Sequence, residues 1–170
     1  MVKKLDSQGF TSLALRAMTD QPLAETMGLP GLLRAARAAY RHAVSTAFAE
    51  AGFEDIPRNG AFVLGRTFDN SAQLTSLTRE LGISKQAVSQ LIDTMVMRGY
   101  LERIADSEDR RRLLLSLTPR GEAAARVAWR AVTAVDAELA IRLPAGGLAA
   151  LRTGLAVLAE IGMHADDAER

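Results

Sequence analysis

The 170-residue sequence contains no cysteine, which excludes disulfides, thiol nucleophiles and thiol-based redox sensing. Its two histidines, His42 and His164, are far apart in the chain and form neither a catalytic triad nor a metal cluster of usual spacing. An excess of charge is also lacking: the formal net charge is +1, whereas proteins that coat polyanions are usually far more basic. Any binding of anions therefore depends on where charge is placed locally.

Long apolar runs are absent as well, since none approaches the roughly 18 residues of a membrane span. The first ten residues lack the apolar segment of a secretory signal, so we expect a cytoplasmic protein with no membrane partner. A local acidic group near Gly52 consists of Glu50, Glu54 and Asp55, and solvation at a helix end explains it. The sequence therefore predicts no enzyme, no metal and no cofactor.

Two short helical patterns joined at Gly82 stand out in the segment from Leu74 to Leu117. Gly82 supplies the left-handed conformation that a steep turn needs, and Ser84 is a natural N-cap for the second helix. The apolar residues fall on the facing sides of two closely crossing helices: Leu77, Leu81, Ile83, Val88, Leu91, Ile92 and Met95. The outward positions of the second helix are Ser84, Lys85, Gln86, Ser89, Gln90, Asp93 and Thr94. Such a polar start is typical of a helix that reads base edges in the major groove of DNA, although a solvated helical hairpin would share it.

A predicted β-hairpin follows this helical pair. Gly99 ends the second helix, and residues 101–105 and 112–117 are predicted strands, with Asp106–Asp109 supplying the turn. Its tip carries Arg110, Arg111 and Arg112, which could reach phosphates or a narrow minor groove, while Asp109 could pair with one guanidinium. A solvated tip is the plainer alternative. Arg103, on the first strand, is a further candidate DNA contact.

Residues 77–125 strongly resemble the multiple-antibiotic-resistance regulator (MarR) family of bacterial winged helix-turn-helix transcription factors. The most specific parts are the Asp-x-Arg of the hairpin tip and the Leu-Thr-Pro-Arg-Gly motif at 117–121. The resemblance implies that Arg111 enters the minor groove and that Asp109 braces the wing. Thr78 departs from the small alanine that is usual in the family, but a threonine should fit there.

The resemblance and the helical periodicity together predict a mainly α-helical winged helix-turn-helix with a two-stranded wing and long terminal dimerisation helices. We divide the chain into an N-terminal arm (1–29), a MarR-like domain (30–163) and a polar tail (164–170). Within the domain, 30–56 and 118–163 are dimerisation helices and 57–117 is the winged helix-turn-helix. Predicted helices cover 32–51, 58–68 with Pro57 at or near the first position, 119–142 after the Thr118 N-cap, and 145–161.

The flanking helices carry more apolar surface than the small winged core can cover, which predicts a homodimer on a pseudo-palindromic double-stranded DNA operator. By resemblance, the regulator is a repressor released by a small aromatic or anionic effector. The candidate effector residues are Tyr40, His42, Phe62, Arg66, Trp129 and Arg130, which core packing or solvation would explain equally well. A winged protein-interaction module, or a regulator without a ligand, are the alternative functions.

Overall fold

A computed structural model describes residues 22–69, 74–105 and 113–168; the side chains at 74, 75, 113 and 163–168 are not described. Two compact units make up the chain, residues 1–41 and 42–170. In the described part of the first unit, the short helix α1 (Leu23–Thr26) is followed by the beginning of α2 (Leu29–Glu50). Met27 lies over Gly31, where an added Cβ would come within 2.5 Å of the Met27 Cγ atom.

The second unit contains the helix-turn-helix predicted from the sequence. Helix α3 (Gly60–Phe68) leads to α4 (Leu74–Leu81) and α5 (Lys85–Met97). Gly82 has a φ of 63° between α4 and α5. Ser84 caps α5, its hydroxyl accepting a hydrogen bond from the Ala87 amide at 3.2 Å. The predicted glycine turn and the predicted N-cap are both confirmed. The turn needs a residue with left-handed backbone conformation, and the start of the helix needs a hydrogen-bond acceptor.

The wing follows α5 as an antiparallel pair, β1 (Leu101–Ala105) and β2 (Leu113–Leu117). Leu101 faces Leu117 and Arg103 faces Leu115, which is the alternation that the predicted strands require. Gly99, with a φ of 71°, forms the turn from α5 into β1. The winged helix-turn-helix is therefore confirmed.

Two long helices complete the chain, α6 (Pro119–Arg142) and α7 (Gly147–Ala168). Thr118 caps α6 and Pro119 occupies its first turn, as predicted. Among the described helices none is long and apolar enough alone to cross a membrane; by length and composition, Pro119–Arg142 and Gly147–Gly162 pass that test jointly, as a pair bent by 117°.

Several predicted helix boundaries were wrong: α2 begins at Leu29 and not at residue 32, and α7 begins at Gly147 and not at residue 145. Helix α3 begins at Gly60 and not near Pro57, because Asn59 adopts a left-handed φ of 68° and turns the chain first. Helix α7 continues to Ala168, past the predicted end at Ile161 and through most of the predicted polar tail. No proline follows Ile161, and alanines at 165 and 168 favour helix, so polarity alone did not end it.

The hydrophobic core of the second unit lies where α3, α5, α6 and the wing meet. Its largest fully buried side chains are Tyr100, Leu64, Leu77, Met95, Leu101, Val63 and Val88. The predicted inner residues of the helical pair all belong to it or pack against it. The apolar side of helix α5 thus packs against the core, and its opposite side is exposed.

Candidate nucleic-acid interface

The exposed side of α5 begins with polar residues. Lys85, Gln86, Ser89 and Gln90 are exposed, whereas Val88, Ile92 and Met95 on the same helix are buried. The hydrogen-bonding amides therefore project from the first two turns of a helix whose position is set by its apolar side. This is the arrangement that a major-groove reading helix needs.

Toward its end, α5 is linked to the wing. Thr94 is half-buried, and its hydroxyl donates to the Gln90 carbonyl at 2.8 Å. Asp93 is exposed and accepts a hydrogen bond from the Arg103 guanidinium on β1. Arg103 is therefore engaged in an ion pair that connects the helix with the wing. Its predicted DNA contact would require a guanidinium nitrogen outside that pair.

The four residues of the predicted wing tip, Asp109, Arg110, Arg111 and Arg112, lie outside the described residues. Their roles stay predictions based on the sequence motif.

The base of the wing holds a polar cluster that the sequence did not predict. Asp55, in the loop between α2 and α3, accepts a hydrogen bond from the Tyr100 hydroxyl. The same carboxylate oxygen lies 2.9 Å from Arg120 Nη2, which also contacts the Tyr100 hydroxyl at 3.0 Å. Arg98 donates to the backbone carbonyl of Asp55. We call Asp55, Arg98, Tyr100 and Arg120 the wing-root cluster.

Electrostatics in the wing-root cluster follow from these contacts. The hydrogen bond from Tyr100 holds the pKa of the Asp55 carboxyl below its usual range, and the Arg120 and Arg98 charges act in the same direction. Burial raises the pKa of the Tyr100 hydroxyl, and its hydrogen bond to Asp55 adds to this. The Arg120 guanidinium carbon also lies 4.4 Å from the centre of the Tyr100 ring. The cluster therefore favours an ionised Asp55 and a protonated Tyr100.

The strands of the wing are joined closely at the same place. The Thr118 amide donates to the Tyr100 carbonyl at 3.2 Å, and the Thr118 hydroxyl donates to the Gly99 carbonyl. A Cβ at Gly121 would lie only 1.9 Å from the Tyr100 carbonyl oxygen. The Leu-Thr-Pro-Arg-Gly motif thus packs the start of α6 against the start of β1.

The six candidate effector residues are spread over different surroundings. Tyr40 belongs to the first unit, where it is half-buried. Arg66 forms an ion pair with Glu80 of α4 at 2.9 Å. The other four are exposed, with Trp129 the most prominent at 65% and Phe62 at 38%; they are His42, Phe62, Trp129 and Arg130.

An open groove of about 670 Å³ lies between α6 and the part of α2 that starts at His42. Its walls are mainly apolar, from Ala43, Ala47, Ala131, Ala134, Val135 and Leu139. The polar residues that line it are His42, Thr46, Glu50, Glu138 and Arg142. Of the six candidate effector residues, only His42 lines this groove.

Comparison with known proteins agrees with the fold. Residues 62–112 match the model described as "MarR family". CouR from Rhodococcus jostii RHA1, solved with p-coumaroyl-CoA, aligns at a TM-score of 0.65 and 21% identity, over 81% of this chain and 96% of CouR. MepR of S. aureus, solved with DNA, aligns at a TM-score of 0.64 and 15% identity, over 78% of this chain and 95% of MepR. Reduced MarR from E. coli aligns at 0.59 and 22%, over 78% and 96%. No curated protein sequence matches the chain.

Residues 62–112 thus match the family that the motif resembles, and the chain has the fold of the solved MarR-family proteins.

Proposed function

We propose that the protein is a homodimeric transcriptional regulator, a repressor, that binds a pseudo-palindromic double-stranded DNA site. The observation that carries this proposal is the polar start of α5, where Lys85, Gln86, Ser89 and Gln90 are all exposed. Ser84 caps the helix, so its first turn is ordered and presents these groups in a fixed arrangement. Glutamine amides can bond adenine through two atoms, which distinguishes bases.

The dimer is supported by the apolar side chains along α7. Leu151, Leu155, Leu158 and Ile161 are each between 41% and 63% exposed in the single chain. Such a contiguous apolar stripe is unusual on a soluble monomer, and a second copy would cover it. A two-fold dimer would present two α5 helices to successive major grooves. The structure of MepR with DNA gives a precedent for this fold.

Direct contact with bases is tested by Gln86→Ala. A DNA fragment is first selected by the wild-type protein from a random library. On that fragment the variant is expected to bind with a free energy weaker by about 1–3 kcal/mol, with little change on unrelated DNA. Met97→Ala, at the exposed far end of the same helix, is the matched control and should leave both affinities unchanged. Equal losses on both DNAs would contradict a base-reading role.

We further propose that Arg111 enters the minor groove and that Arg110 and Arg112 contact phosphates, on the basis of the motif. A small aromatic or anionic effector is proposed to release the DNA. The groove has the volume of ordinary ligand sites, about 300–1,000 Å³, and its lining includes His42 and Arg142, the latter paired with Glu138. Titration of salicylate-like carboxylates into the protein–DNA complex tests this, and unchanged DNA affinity at millimolar levels would favour a regulator without a ligand.

A winged protein-interaction module is the second candidate function. Ile104 and Leu114 are partners across the wing strands, and both are more than 40% exposed. An apolar pair on this surface suits a protein partner better than a phosphate backbone. If the library selection yields no double-stranded DNA that the wild-type chain binds specifically, this second function is preferred.

A further inference from the structure

The position of the wing depends on how its two ends are held. Strand β1 starts just after Gly99, and β2 ends just before Thr118, so both strands are anchored in the same few residues. Thr118 joins these ends through its bonds to Tyr100 and Gly99. These contacts join the wing to α6, but they do not fix it against the remainder of the second unit.

Asp55 adds a polar connection to that remainder, beside the packing of Leu101 in the core and the Arg103–Asp93 ion pair. It lies in the loop between α2 and α3, yet it bonds three residues that flank the wing: Arg98, Tyr100 and Arg120. The Tyr100 ring is fully buried and packs edge-on against Phe53 at 6.2 Å. Its hydroxyl is thereby directed to Asp55, two residues further along the same loop.

Removing the Asp55 charge would also leave two arginines close together. Arg120 Nη1 donates to the backbone carbonyl of Arg98 at 3.0 Å, which brings the start of α6 against the end of α5. The Asp55 carboxylate offsets the charge of both side chains. Without it, repulsion between the arginines would act at the junction from which both α5 and the wing extend.

We propose that Asp55 is a positioning residue for DNA binding. It connects the loop after α2 to the other three residues of the wing-root cluster and thereby fixes the wing relative to α5. This proposal rests on the proposed DNA-binding function. A winged helix-turn-helix contacts DNA through α5 and the wing together, so the distance between them has to match the duplex. Asp55 touches no DNA and acts through Tyr100, Arg98 and Arg120.

The test compares Asp55→Asn and Tyr100→Phe, both close in shape to the wild type, and the double variant. Glu122→Gln is the matched control, because it weakens an ion pair of similar exposure at the start of α6. Hydrogen exchange in the free protein is measured for residues 99–105 and 113–118. Each single variant should raise exchange about threefold to tenfold there, with helical content and exchange in α3 unchanged. The double variant should add little, since the two groups act as one unit.

The second measurement is the affinity for the DNA fragment selected by the wild-type protein. Asp55→Asn should weaken binding about fivefold and reduce the salt dependence, as wing phosphate contacts are lost. Glu122→Gln should change neither quantity. Unchanged hydrogen exchange in the wing strands of Asp55→Asn would show that Asp55 does not hold the wing. Faster exchange with unchanged DNA affinity would overturn its positioning role in DNA binding. If the wild type selects no DNA, the proposed function and the positioning role fail together, while the exchange measurement still decides whether Asp55 holds the wing.

Discussion

Adding a single methyl group at Gly121 should lower the free energy of unfolding strongly, because no space is left for it. An alanine Cβ there would lie 1.9 Å from the Tyr100 carbonyl oxygen and 3.2 Å from the Leu117 Cδ2 atom. The first contact is with backbone, so no side-chain rotation can relieve it. Either α6 or the start of β1 has to move by about 1.5 Å to restore an ordinary van der Waals contact.

The expected cost follows from what that movement breaks. The Tyr100 carbonyl accepts a bond from the Thr118 amide at 3.2 Å, and the Gly121 amide donates to the Thr118 hydroxyl at 3.0 Å. Losing a hydrogen bond and a helix cap costs about 1 kcal/mol each, and crowding a packed site costs about 1–3 kcal/mol more. Alanine has a higher helix propensity than glycine, which stabilises the variant by about 1 kcal/mol. We therefore expect Gly121→Ala to lower the free energy of unfolding by about 3 kcal/mol.

Gly65→Ala is the matched control, because Gly65 is exposed in the middle of α3 and nothing lies within 4 Å of its added Cβ. This variant should gain about 1 kcal/mol from helix propensity alone. Denaturant unfolding measures the free energy of unfolding of both variants. The protein concentration is held fixed, since the stability of a dimer depends on it. If Gly121→Ala were as stable as Gly65→Ala, the close packing of α6 on β1 would be refuted.

Two further predictions concern the wing-root cluster and the assembly. The pKa of Tyr100 is raised, so its contribution to stability is complete below pH 10 and is lost as the pH rises through the raised value. In a tyrosinate absorbance titration, Tyr100 should ionise above the ordinary tyrosine value, and Tyr100→Phe should remove that step; ionisation of Tyr100 at the ordinary value would contradict this. Leu155→Asp should halve the mass seen by light scattering and weaken operator binding, whereas Thr153→Asp, on the opposite side of α7, should do neither. A Leu155→Asp dimer with wild-type DNA affinity would argue against the proposed interface.

Much of this fold was predictable because its determinants are local in the sequence. Gly82 and Gly99 mark turns that need a left-handed residue, and Thr118 followed by Pro119 marks a helix start; all three predictions are confirmed. The exposed side of α5 followed from subtracting its apolar residues. In each example the residues that decide the structure are within one or two helical turns of one another.

The wing-root cluster could not be predicted because it joins residues that are far apart in the chain. Asp55 precedes Tyr100 by 45 positions and Arg120 by 65. From the sequence alone, Asp55 was interpreted as a solvated acid at a helix end, which its partial exposure of 44% would also fit. Only the packing of Phe53 and Tyr100 brings its carboxylate to the base of the wing. No periodicity or spacing rule contains that information.

The same contacts change how the charge of this region is interpreted. The segment from Ser84 to Arg120 contains seven basic and five acidic residues. Arg103 pairs with Asp93, and Arg98 and Arg120 are bonded within the wing-root cluster. Three of the seven thus hold the protein's own elements in place. Nonspecific attraction to phosphates falls with each charge neutralised in this way, while the exposed amides of α5 are unaffected. If the chain binds DNA as proposed, this distribution of charge favours reading of bases over general attraction to the duplex, and accurate placement of α5 and the wing matters more than net charge.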